Sequence, residues 1–228
     1  MPQELLRTNM KFVLNESALL ERLHCEPDSD TFARALELAD SVKDLIHPGF
    51  AVKKLALDGV DEKGVRVGDI FFESRIVAKK LKGESSVFAY VATCGRELSD
   101  RIEGTEDLPD RHLLGEIAYQ AYLSVMEVMT LDVERTFGIE RKIYLRPGSI
   151  RDWKVTEIRK IFTLLGRLCD DLDVRVLDNG MIVPLKSTSG IFYASDEEFS
   201  SCALCPRAHC ELRTMPFDEE LHSEMHRH

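Results

Sequence analysis

The sequence predicts an α+β domain with a central, mostly antiparallel sheet flanked by helices. Three observations carry that reading. Residues 110–137 hold one long helical pattern, Ser86–Thr93 is short, β-rich and apolar on both faces, and helices and strands do not alternate strictly as a doubly wound fold requires. With 228 residues, of which 44% are hydrophobic and 31% charged, the chain can bury a core without disulfide staples, and disordered or low-complexity classes are excluded.

The elements follow in order. Asn15 caps a short helix over 16–24, and the turn at Pro27 and Asp28 leads to Asp30 or Thr31, where a longer helix starts. Its apolar positions Phe32, Leu36, Ala39, Val42 and Ile46 recur until Pro48-Gly49 stops it. Residues 50–57 and 65–72 read as strands separated by turn chemistry, and a helix follows over 74–81. The strand Ser86–Thr93 suits the middle of the sheet. Pro109 stands near the start of the long helix and Gly138 just past its end. Within it Gly115, Ala118, Ala121 and Ser124 recur every three residues, small enough to let another element approach the backbone. Short strands then read at 143–145, 174–177, 181–183 and 190–194, around a helix over 155–168. From Ser195 the chain turns polar, so residues 1–195 form the domain and 196–228 a cysteine-bearing tail.

Forty acidic residues against thirty basic ones give a net charge of −10, which argues against a nucleic-acid binder, because phosphate neutralisation needs a basic surface. No apolar run approaches the length of a membrane span, and residues 1–9 lack the apolar core of a signal peptide, so a cytoplasmic location without membrane contact is expected. No Ser-His-Asp set, dinucleotide fingerprint or zincin motif is present.

Four constellations remain. The stretch 141–160 carries seven basic residues against two acidic ones, suited to an anionic group or acidic partner, or else to a solvated helix face. Inside it Arg146-Pro147-Gly148-Ser149 combines a guanidinium fork, a fixed turn and a residue that admits close approach to the backbone. Glu127 lies in the most apolar part of the long helix, where a carboxylate must be paired, reach an edge, or receive a substrate ammonium. Lys186-Ser-Thr-Ser-Gly190 reads by spacing as a polar turn, with an anion nest as the alternative. Finally, Cys202, Cys205 and Cys210 fall in a C-x2-C-x4-C pattern with His209 beside the last thiol. Closely spaced thiolates converge on Zn or an iron–sulfur cluster, the fourth ligand being His209, the distant Cys25 or Cys94, or an exogenous group; reactive surface thiols are the alternative.

The segment Tyr144-Leu-Arg-Pro-Gly-Ser-Ile-Arg-Asp-Trp153, the helix after it, and Met181-Ile-Val-Pro-Leu-Lys-Ser-Thr-Ser-Gly190 together resemble the reactivation domain of cobalamin-dependent methionine synthase. They look closer still to stand-alone bacterial forms that end in a cysteine-rich tail. The resemblance implies a single α+β domain that binds S-adenosylmethionine in a shallow groove and docks on a corrinoid-binding methyltransferase. There it supports reductive methylation of cob(II)alamin held by that partner, with an electron-donor protein as a further partner. It also implies that Pro147, Gly148, Ser189 and Gly190 line the groove and that Glu127 receives the methionine ammonium. Tyr144 and Ser149 stand where the family has an arginine and a tyrosine, so the carboxylate falls to Arg146, or to Arg141. Two other readings stay open: an iron–sulfur or zinc redox activator for a different corrinoid protein of one-carbon metabolism, and a non-catalytic interaction module.

Overall fold

A computed structural model describes residues 3–206, 208 and 213–226. In chain order its elements are β1 (Glu4–Arg7), α1 (Glu16–Leu23), α2 (Asp30–Val42), β2 (Gly49–Ala56), β3 (Gly59–Val60), β4 (Gly64–Val67), β5 (Ile70–Glu73), α3 (Arg75–Lys80) and β6 (Ser86–Thr93). Then come α4 (Arg96–Glu103), α5 (Leu108–Phe137), β7 (Lys142–Leu145), α6 (Ile158–Leu165), α7 (Arg167–Asp170), β8 (Arg175–Val176), β9 (Ile182–Val183), β10 (Ser187–Ala194) and α8 (Glu219–His226).

The central sheet has five strands in the order β1-β2-β6-β10-β7, every neighbouring pair antiparallel. The α+β class expected from the sequence is therefore the one observed. β6 sits in the middle, with Tyr90 opposite Val52 on one side and Gly190 on the other. Its side chains alternate between two apolar clusters. Val87, Ala89 and Val91 face one that includes Phe72, Ile76, Trp153, Ile161 and Leu165, while Phe88, Tyr90 and Ala92 face one that includes Val125, Met129 and Val133 of α5. A third cluster joins α1, α2 and α4 to the first half of α5 through Leu19, Leu38, Leu98 and Leu114. Thus α5 serves two clusters along its thirty residues.

Helix ends follow local chemistry. Asn15, Ser29, Ser74 and Asp107 accept hydrogen bonds from backbone N–H groups in the first turns of α1, α2, α3 and α5, and Gly138 closes α5 at φ 70°. Asp152 adds a second anchor to α3, accepting from Ser74 Oγ at 2.7 Å, Arg75 N at 2.7 Å and Ile76 N at 3.2 Å.

Several expectations change. Residues 65–72 are not one strand but the hairpin β4–β5, turned at Gly68 (φ 58°), and with β3 they form a separate three-stranded sheet. The helix expected over 155–168 is broken: a 3-10 turn at Val155–Glu157 leads into α6, and Gly166 at φ 59° separates α6 from α7. β1 and α4 add to the sheet and to the helical layer. Ala118 and Ala121 are buried in the α-helical cluster, whereas a side chain at Gly115 would meet nothing within 4 Å, so no close approach explains that glycine. Residues after Ser195 pack on the domain: Leu204 and Met225 belong to the cluster around Trp153. Lys80, almost fully buried, pairs with Glu197 and lies 3.9 Å from the centre of the Phe199 ring.

Leu114 is fully buried and Leu123, nine residues on in the same helix, is 44% exposed. Leu114→Ala is expected to cost about 2–5 kcal/mol in denaturant unfolding and Leu123→Ala roughly 0.5 kcal/mol or less. Equal losses at the two positions would contradict the packing described.

Candidate functional site

The chemistry collects where side chains of α5, β6 and β7 meet around Tyr90, which is fully buried on β6. β7 delivers Tyr144, and Arg146, the residue just after the strand, lies beside Tyr90. The Tyr90 and Tyr144 rings meet edge to face at 5.3 Å, and Arg146 Nε donates to the Tyr90 hydroxyl at 2.7 Å. The Arg146 guanidinium also lies 5.7 Å from the Tyr144 ring centre. From α5 come Tyr119 and Tyr122, stacked at 6.0 Å, and Thr130, whose hydroxyl is 3.4 Å from that of Tyr144. Lys186, just before β10, sits 5.4 Å from the Tyr119 ring centre.

The turn that presents Arg146 follows from its sequence. Ser149 N donates to Arg146 O at 3.1 Å, which closes a four-residue turn with Pro147 second and Gly148 third. Proline presets the second position, and the third needs positive φ, met by Gly148 at 81°. Gly148 N donates to Trp153 O at 2.7 Å, fixing the turn against the buried indole. Pro147 is buried, while Gly148 and Ser149 are exposed.

Gly190 has a different task from the one a groove-lining glycine suggests. A Cβ there would lie 2.6 Å from Leu145 O, 3.0 Å from Arg146 Cγ and 3.1 Å from Tyr90 Cε1. The missing side chain makes room for the arginine stem to cross Tyr90. Ser187–Gly190 are not a turn but the first residues of β10, and two of their three hydroxyls serve the sheet, Ser189 Oγ donating to Tyr90 O and Ser187 Oγ to Thr93 Oγ1, while Thr188 hydrogen-bonds Tyr122 of α5. Glu127 is exposed on α5, next to Met126, which packs on the cluster beneath the site. It thus reaches an edge rather than standing in apolar surroundings.

The charge balance is one-sided. Arg146 is half-buried, and no described carboxylate pairs with it. Its single polar protein partner among the described residues is the phenol of Tyr90, which meets the guanidinium through a hydrogen bond and not through a carboxylate. Other cations of the basic stretch are differently placed: Arg159 pairs with Asp178, Lys160 with Glu157, Arg141 with Glu198 at 3.9 Å, and Lys142 donates to backbone carbonyls. Burial pushes the Tyr144 hydroxyl up to about 12, partly offset by Thr130, and pushes Tyr122 up against the opposing charge of Arg146.

Of the residues expected from the sequence, Arg146, Pro147, Gly148, Ser149, Ser189 and Gly190 gather at one end of the sheet, with Glu127 on the adjoining helix. The cysteines lie elsewhere. Cys202 and Cys205 are half-exposed on and just after the 3-10 turn Ser201–Leu204, and Cys210 with His209 lies outside the described residues. Among the described residues no group of three or more His, Cys, Asp or Glu side chains is arranged to hold a metal ion. Tyr90, Tyr119 and Tyr122 were not singled out from sequence. The chain has only five tyrosines, and four of them, Tyr90, Tyr119, Tyr122 and Tyr144, meet here, which a search for scarce polar aromatics in otherwise apolar elements would flag.

The crystal structure of the MetH reactivation domain bound to AdoHcy is similar to this chain, with a TM-score of 0.59 and 17% identity over 78% of this chain and 70% of that one. At that identity the likeness is one of fold. No protein-family model and no curated protein matches the sequence.

Because the neutral phenol of Tyr144 is favoured in the folded state, its contribution to stability is complete below pH 10 and is lost as pH rises toward about 12. Phenolate absorbance should show Tyr144→Phe removing no transition below pH 11 from the folded chain. A tyrosine lost from the transition near pH 10 would refute the buried placement.

Proposed function

We propose that this site binds S-adenosylmethionine and that the chain acts as a reactivation partner of a corrinoid-dependent methyltransferase. The observation that carries this reading is Arg146, a half-buried guanidinium with a phenol partner and no carboxylate among the described residues. A permanent cation in that setting calls for an anion, and an amino-acid carboxylate matches its fork. The fold likeness to a domain bound to AdoHcy supports the choice of ligand class.

The chain's own residues then divide the work. Arg146 binds the carboxylate, held in place by Tyr90 and by the space Gly190 leaves. The turn at Pro147-Gly148 exposes backbone to the ligand without a side chain in the way, at a φ that favours glycine. Glu127, on the neighbouring helix, supplies the negative charge for an ammonium group. Bound S-adenosylmethionine supplies the methyl group for reductive methylation of cob(II)alamin on the partner, the electron coming from a separate donor protein. The protein contributes position and field rather than a nucleophile or base.

Isothermal titration of the full chain with S-adenosylmethionine and S-adenosylhomocysteine tests this. Arg146→Ala is expected to weaken both by about tenfold to a hundredfold, the usual worth of a charge-assisted hydrogen bond, and Arg146→Lys by less. No binding to the unmodified chain, even with a methionine synthase cobalamin fragment present, overturns the reading. Circular dichroism of each variant separates lost affinity from lost fold.

A further inference from the structure

The described C-terminal residues hold a second chemistry that the site around Arg146 does not use. Cys202 lies within the 3-10 turn Ser201–Leu204 and Cys205 just after it, and Cys205 N donates to Cys202 O at 3.2 Å. A turn closed between residues three apart keeps its end Cα atoms within about 7 Å, which overlaps the roughly 4.4–6.8 Å that a disulfide spans. The turn is anchored: Ala203 and Leu204, between the two cysteines, are buried against the domain. It is also held from outside. The Arg213 guanidinium donates to Cys202 O at 3.0 Å, to Cys205 O at 3.1 Å and to Met215 O at 3.3 Å, so both cysteine backbones are fixed by groups other than sulfur.

The two thiols are not equivalent. Cys202 Sγ accepts a hydrogen bond from Thr214 Oγ1 at 3.5 Å, and the Cys202 N–H donates to Ser200 Oγ at 3.2 Å. Both cysteines are half-exposed, whereas Cys94 and Cys169 are buried and pushed up to about 12 by that burial, which keeps them as inert thiols.

We infer that Cys202 and Cys205 form a dithiol–disulfide exchange centre that acts on low-molecular-weight disulfides, with Cys202 attacking and Cys205 resolving. The Cys202 thiolate attacks one sulfur of the small disulfide, whose S–S bond breaks and releases one thiolate as a mixed disulfide forms. Cys205 gives its proton to that thiolate and attacks Cys202 Sγ, so the Cys202–Cys205 bond forms and the second small thiolate leaves, taking from solvent the proton that Cys202 released on ionising. Two protein thiols are oxidised and one disulfide is reduced to two thiols, with no other electron carrier. The inference stands apart from the methyl-donor reading, since it uses none of that site's residues.

The reduced full chain, equilibrated with oxidised glutathione, acid-quenched, alkylated and mapped by peptide mass spectrometry, provides the test. The expected product is a Cys202–Cys205 cross-link, formed equally in Cys210→Ser. Cys205→Ser should accumulate glutathione on Cys202, and Cys202→Ser should slow glutathione release by about tenfold or more. Thr214→Val, which keeps both cysteines, should still form the cross-link but more slowly. A Cys202–Cys210 product in place of Cys202–Cys205 overturns the assignment, as does release from Cys202→Ser at the unmodified rate. So does a stoichiometric metal in the purified chain that Cys202→Ser and Cys205→Ser both lose, because it would mark the thiols as ligands.

Discussion

Everything in this fold hangs on the two-faced burial of β6. Its eight residues pair with β2 on one side and β10 on the other, and their side chains alternate between the cluster around Trp153 and the cluster under α5. Because strand side chains repeat every two residues, a slip of one position would send Phe88 and Tyr90 to the wrong face and empty both clusters together. The register is therefore strongly determined, and Tyr90 becomes a fixed point. Its ring is core, while its hydroxyl and backbone carbonyl hold Arg146 and Ser189. The site is the polar margin of the packing that makes the sheet stable.

That arrangement explains why an arginine can stay half-buried without a carboxylate. The Tyr90 hydroxyl accepts from it, the Tyr144 ring lies beside it, and Gly190 leaves the channel through which its stem passes. Each feature lowers the cost of desolvating the guanidinium without cancelling its charge, so the residual field stays available to an anionic group.

What sequence reasoning could see tracks how local each signal is. The central strand, the long helix, and the caps at Asn15 and Gly138 were legible, because period, composition and capping residues sit within one element. β1 was not: Glu-Leu-Leu-Arg is an edge strand with three of its four residues exposed, and nothing but its pairing with β2 makes it a strand. Nor was α4, which starts at Gly95 with no side-chain cap and buries only Leu98, Ser99 and Ile102. At the site, the turn motif stood out, since proline and glycine announce turn geometry in the sequence itself. The tyrosines stayed hidden because their meeting is tertiary, Tyr90 and Tyr144 being brought together only by the insertion of β10 between β6 and β7. The same insertion explains the misreading of Ser187–Gly190, whose two serine hydroxyls bond the neighbouring β6.

The thirty residues of α5 make a rod roughly 45 Å long at the usual rise per residue. Its first half is gripped by α1, α2 and α4, Tyr119 and Tyr122 near its midpoint and Thr130 beyond it reach the site, and Val125, Met129 and Val133 pack on the sheet. A stiff rod cannot tilt at one end and stay still at the other. The positions of Tyr122 and Thr130 relative to Arg146 are accordingly set in part by how three helices pack around Leu114, which makes the helical layer a calibrating element for the site.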